Sequence, residues 1–176
     1  CPVTKSFEAD DLIGTAAHRF SAMGVRVYIY SRDKDFVQCL NERVTLIQPQ
    51  QANSPERIFR HDNSHERSVS PDKMVEFLSL VGDSSDHVAG VRGIGEKTAV
   101  KILNAGTIEE ARDSGKYKAL NGITDEYLNQ MRDLIQIVEG APCVPYTLEA
   151  LKQKRPSNKA LRKLKAELEF KKLFHL

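Results

Sequence analysis

Three glycines within six residues, Gly90, Gly93 and Gly95, break the chain near its middle and lead straight into Glu96-Lys97-Thr98-Ala99. Glycine at that density forfeits too much backbone entropy for a regular helix or strand, so the segment must turn tightly. Such a turn leaves backbone N–H groups open, and a helix starting near Glu96 would present its positive end to a phosphate. Lys97 and Lys101 add charge on the same side, with Arg92 close by. A nucleotide-binding P-loop is a poor description of this stretch. That loop needs Gly-x-x-x-x-Gly-Lys-Ser/Thr, whereas Glu96 separates Gly95 from Lys97 and no strand pattern feeds the turn.

Upstream of the turn, acidic residues gather in tight groups: Glu8-Ala9-Asp10-Asp11, Asp33-Lys34-Asp35 and Asp83-Ser84-Ser85-Asp86, with Asp72 standing alone. Carboxylates so crowded repel one another unless a positive charge lies between them. Hard oxygen donors suit Mg²⁺ or Mn²⁺ in that role. Plainer explanations exist for each group. Acids in a first helical turn complement the helix dipole, which accounts for one or two of them but is strained by three in four residues. Asp-Lys-Asp is a common solvated turn, and Asp and Ser after a helix are ordinary turn formers. The spacing of Glu8 and Asp11 puts them on one helix face, while Asp10 points about 100° away.

The net charge of +2 conceals an asymmetry. Residues 1–91 hold 10 Lys+Arg against 13 Asp+Glu, a balance of −3, and residues 92–176 hold 16 against 11, a balance of +5. An acidic half that attracts metal and a basic half that attracts a polyanion suit phosphodiester chemistry. A chain of 176 residues is one domain or a large part of one, and its 40% hydrophobic content supports a core. No apolar run approaches the roughly 18 residues of a membrane span, and no leader pattern opens the chain. Cys1, Cys39 and Cys143 are odd in number and widely spaced, which fits a reducing intracellular compartment rather than a disulfide framework.

The hydrophobic pattern predicts a helix from about Glu8 to Met23, capped by Ser6, then a strand over Val25–Tyr30. A short helix over Asp35–Leu40 and a strand over Val44–Ile47 continue an α/β rhythm of parallel-sheet type. Residues 48–69 read as a polar surface loop, in which His61, Asp62, His65 and Glu66 could be drawn as a metal site but fit solvated side chains better. Ser70-Pro71 opens another helix, and helices over 96–104, 107–113, 125–138 and 158–168 follow.

These motifs, in this order, closely resemble the 5′-nuclease family: Phe-Glu-Ala-Asp-Asp (7–11), Asp-Lys-Asp (33–35), Val-Gly-Asp-Ser-Ser-Asp (81–86) and Gly-Val-Arg-Gly-Ile-Gly-Glu-Lys-Thr-Ala (90–99). That family includes the 5′→3′ exonuclease domain of DNA polymerase I and the flap endonucleases. The resemblance implies the C-terminal part of an α/β, PIN-like parallel-sheet nuclease core over residues 1–80. It further implies a mainly helical helix–three-turn–helix DNA-binding region over 81–140 and a helical tail over 141–176. By position, Glu8, Asp10, Asp11, Asp33, Asp35, Asp83 and Asp86 match the acidic residues expected to hold two Mg²⁺ or Mn²⁺ ions. Carbonyls of Val81, Ala89, Val91 and Ile94 match a K⁺ site, and Arg92, Gly93, Ile94, Gly95, Glu96, Lys97, Thr98 and Lys101 match the segment that grips duplex DNA.

The expected activity is metal-dependent, structure-specific cleavage of 5′ flaps, nicked duplex or RNA primers on DNA, by a monomer. The rival expectation is a duplex-binding module that does not cut. The resemblance also implies an N-terminal half, with two further aspartates and a strand-threading clamp, that does not precede Glu8 here. His87 and Ala89 stand where it implies Asn and Pro, and Arg32 where it implies a small residue.

Overall fold

The first helix, α1 (Ala9–Ala22), starts where Glu8 takes an extended backbone (φ −85°, ψ 172°) and so becomes the N-cap. The structure, a computed structural model, describes residues 7–51, 54–62, 69–84, 87–142, 147–152, 155 and 157–167. Ser6, the expected cap, lies outside them. Asp11 returns from the third helical position, its Oδ2 accepting the Glu8 N–H at 3.1 Å. The apolar stripe of α1 turns Ala17 (1% exposed) and Phe20 (5%) inward.

After α1 come β1 (Val27–Tyr30) and β2 (Val44–Gln48), paired in parallel with Val27 opposite Val44 and Tyr30 opposite Ile47. The connection between them is a 3₁₀ turn over Asp35–Cys39. The stretch read as a polar loop contributes a third strand, β3 (Arg57–Phe59), antiparallel to β2 with Phe59 opposite Leu46. Three residues are too few to show the two-residue alternation that betrays a strand in sequence. The β1–β2 pair is parallel as expected, and β3 adds an antiparallel edge to it. Alternation sends Ile29, Val44, Leu46 and Phe59 into the core, while Tyr28, Tyr30 and Ile58 face outward.

A 3₁₀ turn at Pro71–Lys73 leads into α2 (Met74–Val81), which is apolar on most sides and correspondingly buried. Met74, Phe77, Leu78 and Leu80 are each at most 2% exposed, worth about 1.5–3 kcal/mol apiece by area removed from water. Around α2 pack α3 (Glu96–Ala105) and α5 (Asp125–Ile135), with α4 (Ile108–Asp113) against α3. Helix α4 begins with a reciprocal cap: the Glu110 N–H donates to Thr107 Oγ1 at 3.1 Å, and the Thr107 N–H donates to Glu110 Oε2 at 2.9 Å.

Arg132 on α5 clamps three helices together. It donates to Glu76 Oε1 and Oε2 at 2.9 and 3.0 Å and to Glu109 Oε1 at 2.8 Å. Burial is the strongest single influence on Glu109 and disfavours its charge, but the Arg132 hydrogen bond, a backbone hydrogen bond and the Arg132 charge together outweigh it and hold the carboxyl below its ordinary 4.5. Glu109 thus stabilises the fold at neutral pH, and the contribution fades as pH falls below 4.5 toward the folded-state value.

The helix expected over 125–138 stops at Ile135, where Gln136 turns extended (ψ 120°). Side chains claim the backbone that would have continued it. Gln38 Nε2 donates to the Ile135 carbonyl at 3.2 Å, and Gln38 Oε1 accepts the Ile137 N–H at 2.9 Å. Thr15 Oγ1 donates to the Val138 carbonyl and accepts from the N–H groups of Gly140 and Ala141, at 3.0 to 3.1 Å. Residues 136–141 therefore cross α1 as a non-helical strap. It passes so close to Gly14 that a Cβ there would lie 2.4 Å from Ile137 Cγ2.

Cys39 is sealed beneath the same crossing. Burial chiefly, with Glu139 and Asp10 adding repulsion, pushes its thiol up to about 12. In a Cys1→Ser, Cys143→Ser background, Cys39 should react with a disulfide reagent at pH 8 about a hundredfold or more slower than in denaturant. Comparable rates in the two conditions would mean the crossing is open. Residues 144–176 form a separate compact unit whose helix α6 (Asn158–Glu167) carries Lys159, Arg162 and Lys163 on one face.

Candidate functional site

Two chain segments far apart in sequence bring their carboxylates to one cleft. Glu8, Asp10 and Asp11 come from the start of α1, and Asp33 and Asp35 from the loop beyond the C-terminal end of β1. That end of a parallel strand is where α/β folds place functional groups. The cleft encloses about 400 Å³, and Asp133 through Val138, the end of α5 and the start of the strap, form its other wall. Asp133 is an acidic neighbour that sequence reading passed over. On an amphipathic helix it has the pattern of any solvent-facing charge, and its place at the cleft follows from where α5 packs.

The acids differ in how they are held. Asp11 has both oxygens on backbone: Oδ2 accepts the Glu8 N–H, and Oδ1 accepts the Val138 N–H at 2.8 Å. Asp10 Oδ1 accepts the Asp11 N–H at 3.1 Å, and Asp33 Oδ1 accepts the Asp35 N–H at 2.9 Å, fixing the turn between the paired acids. Among the described residues no three His, Cys, Asp or Glu side chains converge as a closed metal-holding cluster; the carboxylates line the cleft instead. An all-oxygen, all-anionic donor set of this kind suits a hard divalent cation.

Asp83 does not line that cleft. It is buried, its side chain 1% exposed, and ion-paired with Lys34, the residue between Asp33 and Asp35. Asp86 lies outside the described residues, as do His65 and Glu66. His61 and Asp62 sit in an exposed turn.

Asp83 also starts the glycine segment. Its N–H and C=O exchange bonds with Val88 at 2.8 Å each, forming a small antiparallel bridge. The return strand then passes Gly82 so closely that Gly90 has no room for a side chain: a Cβ would lie 2.4 Å from the Gly82 nitrogen. Tyr127 of α5 donates its hydroxyl to the Gly90 carbonyl at 2.7 Å, tying the turn to the helices. Of the carbonyl residues expected at a cation, Val91 and Ile94 are buried, Val81 half-buried and Ala89 exposed; the Val91 carbonyl accepts the Ile94 N–H at 2.9 Å.

Val91 and Ile94 anchor the turn, leaving Arg92, Gly93, Gly95, Glu96, Lys97 and Lys101 exposed and Thr98 half-buried. Gly93 holds φ +92°, and Gly95 is the N-cap of α3. The first bonds of α3 run from Thr98 and Ala99 N–H to the Gly95 carbonyl, so the N–H groups of Glu96 and Lys97 lie ahead of the helical ladder. Lys97 and Lys101, four residues apart, share the face beside them.

His87 sits at φ +58°, left-handed backbone that a non-glycine residue enters at a cost. His87→Gly should therefore stabilise the fold by about 1 kcal/mol. A urea midpoint that stays put or falls would refute the strain at this turn.

The model of the 5′-3′ exonuclease N-terminal resolvase-like domain matches residues 2–74, and that of the 5′-3′ exonuclease C-terminal SAM fold matches residues 69–170. The thermostable DNA polymerase I of Thermus filiformis is 34% identical over 176 residues, covering 96% of this chain and 20% of the polymerase. The 5′-3′ exonuclease of Aquifex aeolicus is 34% identical over 171 residues, covering 95% of this chain and 57% of that protein. The chain thus spans between a fifth and a little over half of these relatives.

Among solved structures, the T5 D15 protein co-crystallised with metal ions superposes with a TM-score of 0.62 at 21% identity, over 77% of this chain and 51% of that one. That likeness speaks for the fold: a mixed α/β core and a mostly helical region after it. Two adjoining matches that together run from residue 2 to residue 170 place the chain in the 5′-3′ exonuclease family.

Proposed function

We propose that this chain is the metal-binding and duplex-gripping part of a Mg²⁺- or Mn²⁺-dependent 5′→3′ exonuclease and 5′-flap endonuclease acting on DNA in replication and repair. The observation that carries this reading is the single cleft lined by Glu8, Asp10, Asp11, Asp33 and Asp35. Glu8, Asp10, Asp33 and Asp35 would hold the divalent ions, with Asp11 holding the cleft wall and Asp83 and Asp86 contributing from the glycine segment. When bound, a pair of such ions supplies a water-derived nucleophile and neutralises charge on the leaving oxygen, so no side-chain nucleophile is required. A related T5 flap endonuclease has been solved as a pseudo-enzyme-product complex with DNA and metal ions, which supports both partners here.

The chain's own residues then do three things. The exposed turn from Arg92 to Thr98, with Lys101, grips duplex phosphates through open N–H groups and cationic side chains. Carbonyls of Val81, Ala89, Val91 and Ile94 would cradle a K⁺ that neutralises charge at the same grip. Phosphate contacts carry no base identity, so selection follows the shape of the junction. A monomer suffices for this, since one chain carries both cleft and turn.

The test is cleavage of a labelled 5′-flap duplex in Mg²⁺ or Mn²⁺, with an EDTA control and Asp83→Asn alongside. Metal-dependent cutting, weakened in the variant, is the expected result. Salt-sensitive binding that persists in EDTA without any cutting would instead make the chain a duplex-binding module.

A further inference from the structure

Lys34 carries a role that its place between two acidic residues hides. Asp83 is the most deeply buried carboxylate among the described residues, its side chain 1% exposed, and a charge there is costly unless compensated. Its ion-pair partner is Lys34, half-buried at 29%. That ammonium leaves from the loop that bears Asp33 and Asp35, which line the acidic cleft, and reaches the residue that starts the glycine segment. The pair therefore does two jobs at once. It neutralises Asp83, and it staples the cleft loop to the phosphate-gripping turn.

We propose that Lys34 is a positioning residue acting as an internal counter-ion: it occupies the Asp83 carboxylate while no divalent ion is bound, and an ion reaching Asp83 must displace it. The proposal rests on the metal-dependent reading above. Its consequence is competition. A lysine ammonium and a divalent ion seek the same oxygens, so the lysine holds the empty site together and raises the metal concentration needed to fill it. Neighbouring Asp33 and Asp35, held by their own turn bond at 2.9 Å, keep their positions when the ammonium swings away.

The experiment uses Mn²⁺ alone as the probe and thermal unfolding of the whole chain as the readout. Lys34→Met keeps most of the side-chain volume and removes the charge. It should melt lower than the parent without metal. Its Mn²⁺-induced rise in Tm should be larger than the parent's, with a midpoint about tenfold lower in Mn²⁺, because the competing charge is gone. Lys34→Arg should restore the parent's metal-free Tm and its weaker Mn²⁺ response. Adding Asp83→Asn to Lys34→Met should abolish the extra Mn²⁺ response.

A Lys34→Met chain that folds only when Mn²⁺ is present would also support displacement. An Mn²⁺ midpoint unchanged or raised in Lys34→Met, beside a clear response in the parent, would overturn the role of Lys34 while leaving the metal-dependent reading intact. No Mn²⁺ response in the parent or in Lys34→Met would overturn both.

Discussion

Gly90→Ala is expected to be the most damaging small substitution in residues 1–143. The new methyl would lie 2.4 Å from the Gly82 nitrogen and 2.6 Å from the Val81 carbonyl carbon, and both are backbone atoms. Neither strand can step back cheaply. The Gly82 N–H is committed to the Leu78 carbonyl at 2.7 Å, and the Val91 N–H to the Leu80 carbonyl at 2.8 Å. A side chain would also have to accept φ +64°. Overpacking of about 1–3 kcal/mol and left-handed backbone of about 1–2 kcal/mol together predict a loss of roughly 2–5 kcal/mol. Gly24→Ala is the matched control, because Gly24 holds φ +85° with nothing within 4 Å of its Cβ position. It should lose only the conformational part. Equal urea midpoints for the two variants would show that the backbones at 82 and 90 do not crowd.

Asp10→Asn should have the largest effect on chemistry with little effect on the fold. The asparagine Oδ1 can still accept the Asp11 N–H that Asp10 accepts at 3.1 Å, so the start of α1 keeps its bond. What disappears is one negative charge in the cleft. Metal-dependent cleavage of the flap duplex should fall about a hundredfold or more, while the metal-free Tm shifts little. A variant that cuts at the parent's rate in Mg²⁺ would remove Asp10 from the set that holds the ions.

Much of this molecule could be read from its residues, and the exceptions share a cause. Helices α1, α3 and α4 were legible because their apolar stripes are local, and so is the Thr107–Glu110 cap of α4. The first two strands were legible from β-branched runs, although β1 starts at Val27 rather than Val25. Strand β3 was not, since three residues between polar neighbours owe their pairing to Leu46 and Ile47 across the sheet. The end of α5 was equally hidden. Nothing in Gln136-Ile137-Val138 forbids helix; Gln38, Thr15 and Asp11, roughly a hundred or more residues away, overrule it. The acidic groups could be read as groups, and the meeting of the first two in one cleft follows from the start of α1 and the end of β1. The pairing of Asp83 with Lys34 and the approach of Asp133 were not legible, for both depend on how distant segments cross.

The double duty of Asp11 has a practical consequence for anyone dissecting this cleft. Its carboxylate is the tether for the Val138 backbone as well as a member of the acidic group. Removing it would loosen the wall that the strap provides, and with it the shape of the cavity that every other carboxylate faces. An inactive Asp11 variant would then report lost architecture and lost charge in a single number. Asp10 and Asp33, which accept hydrogen bonds from their own turns, separate the two quantities and are the residues on which ligand assignments should first be built.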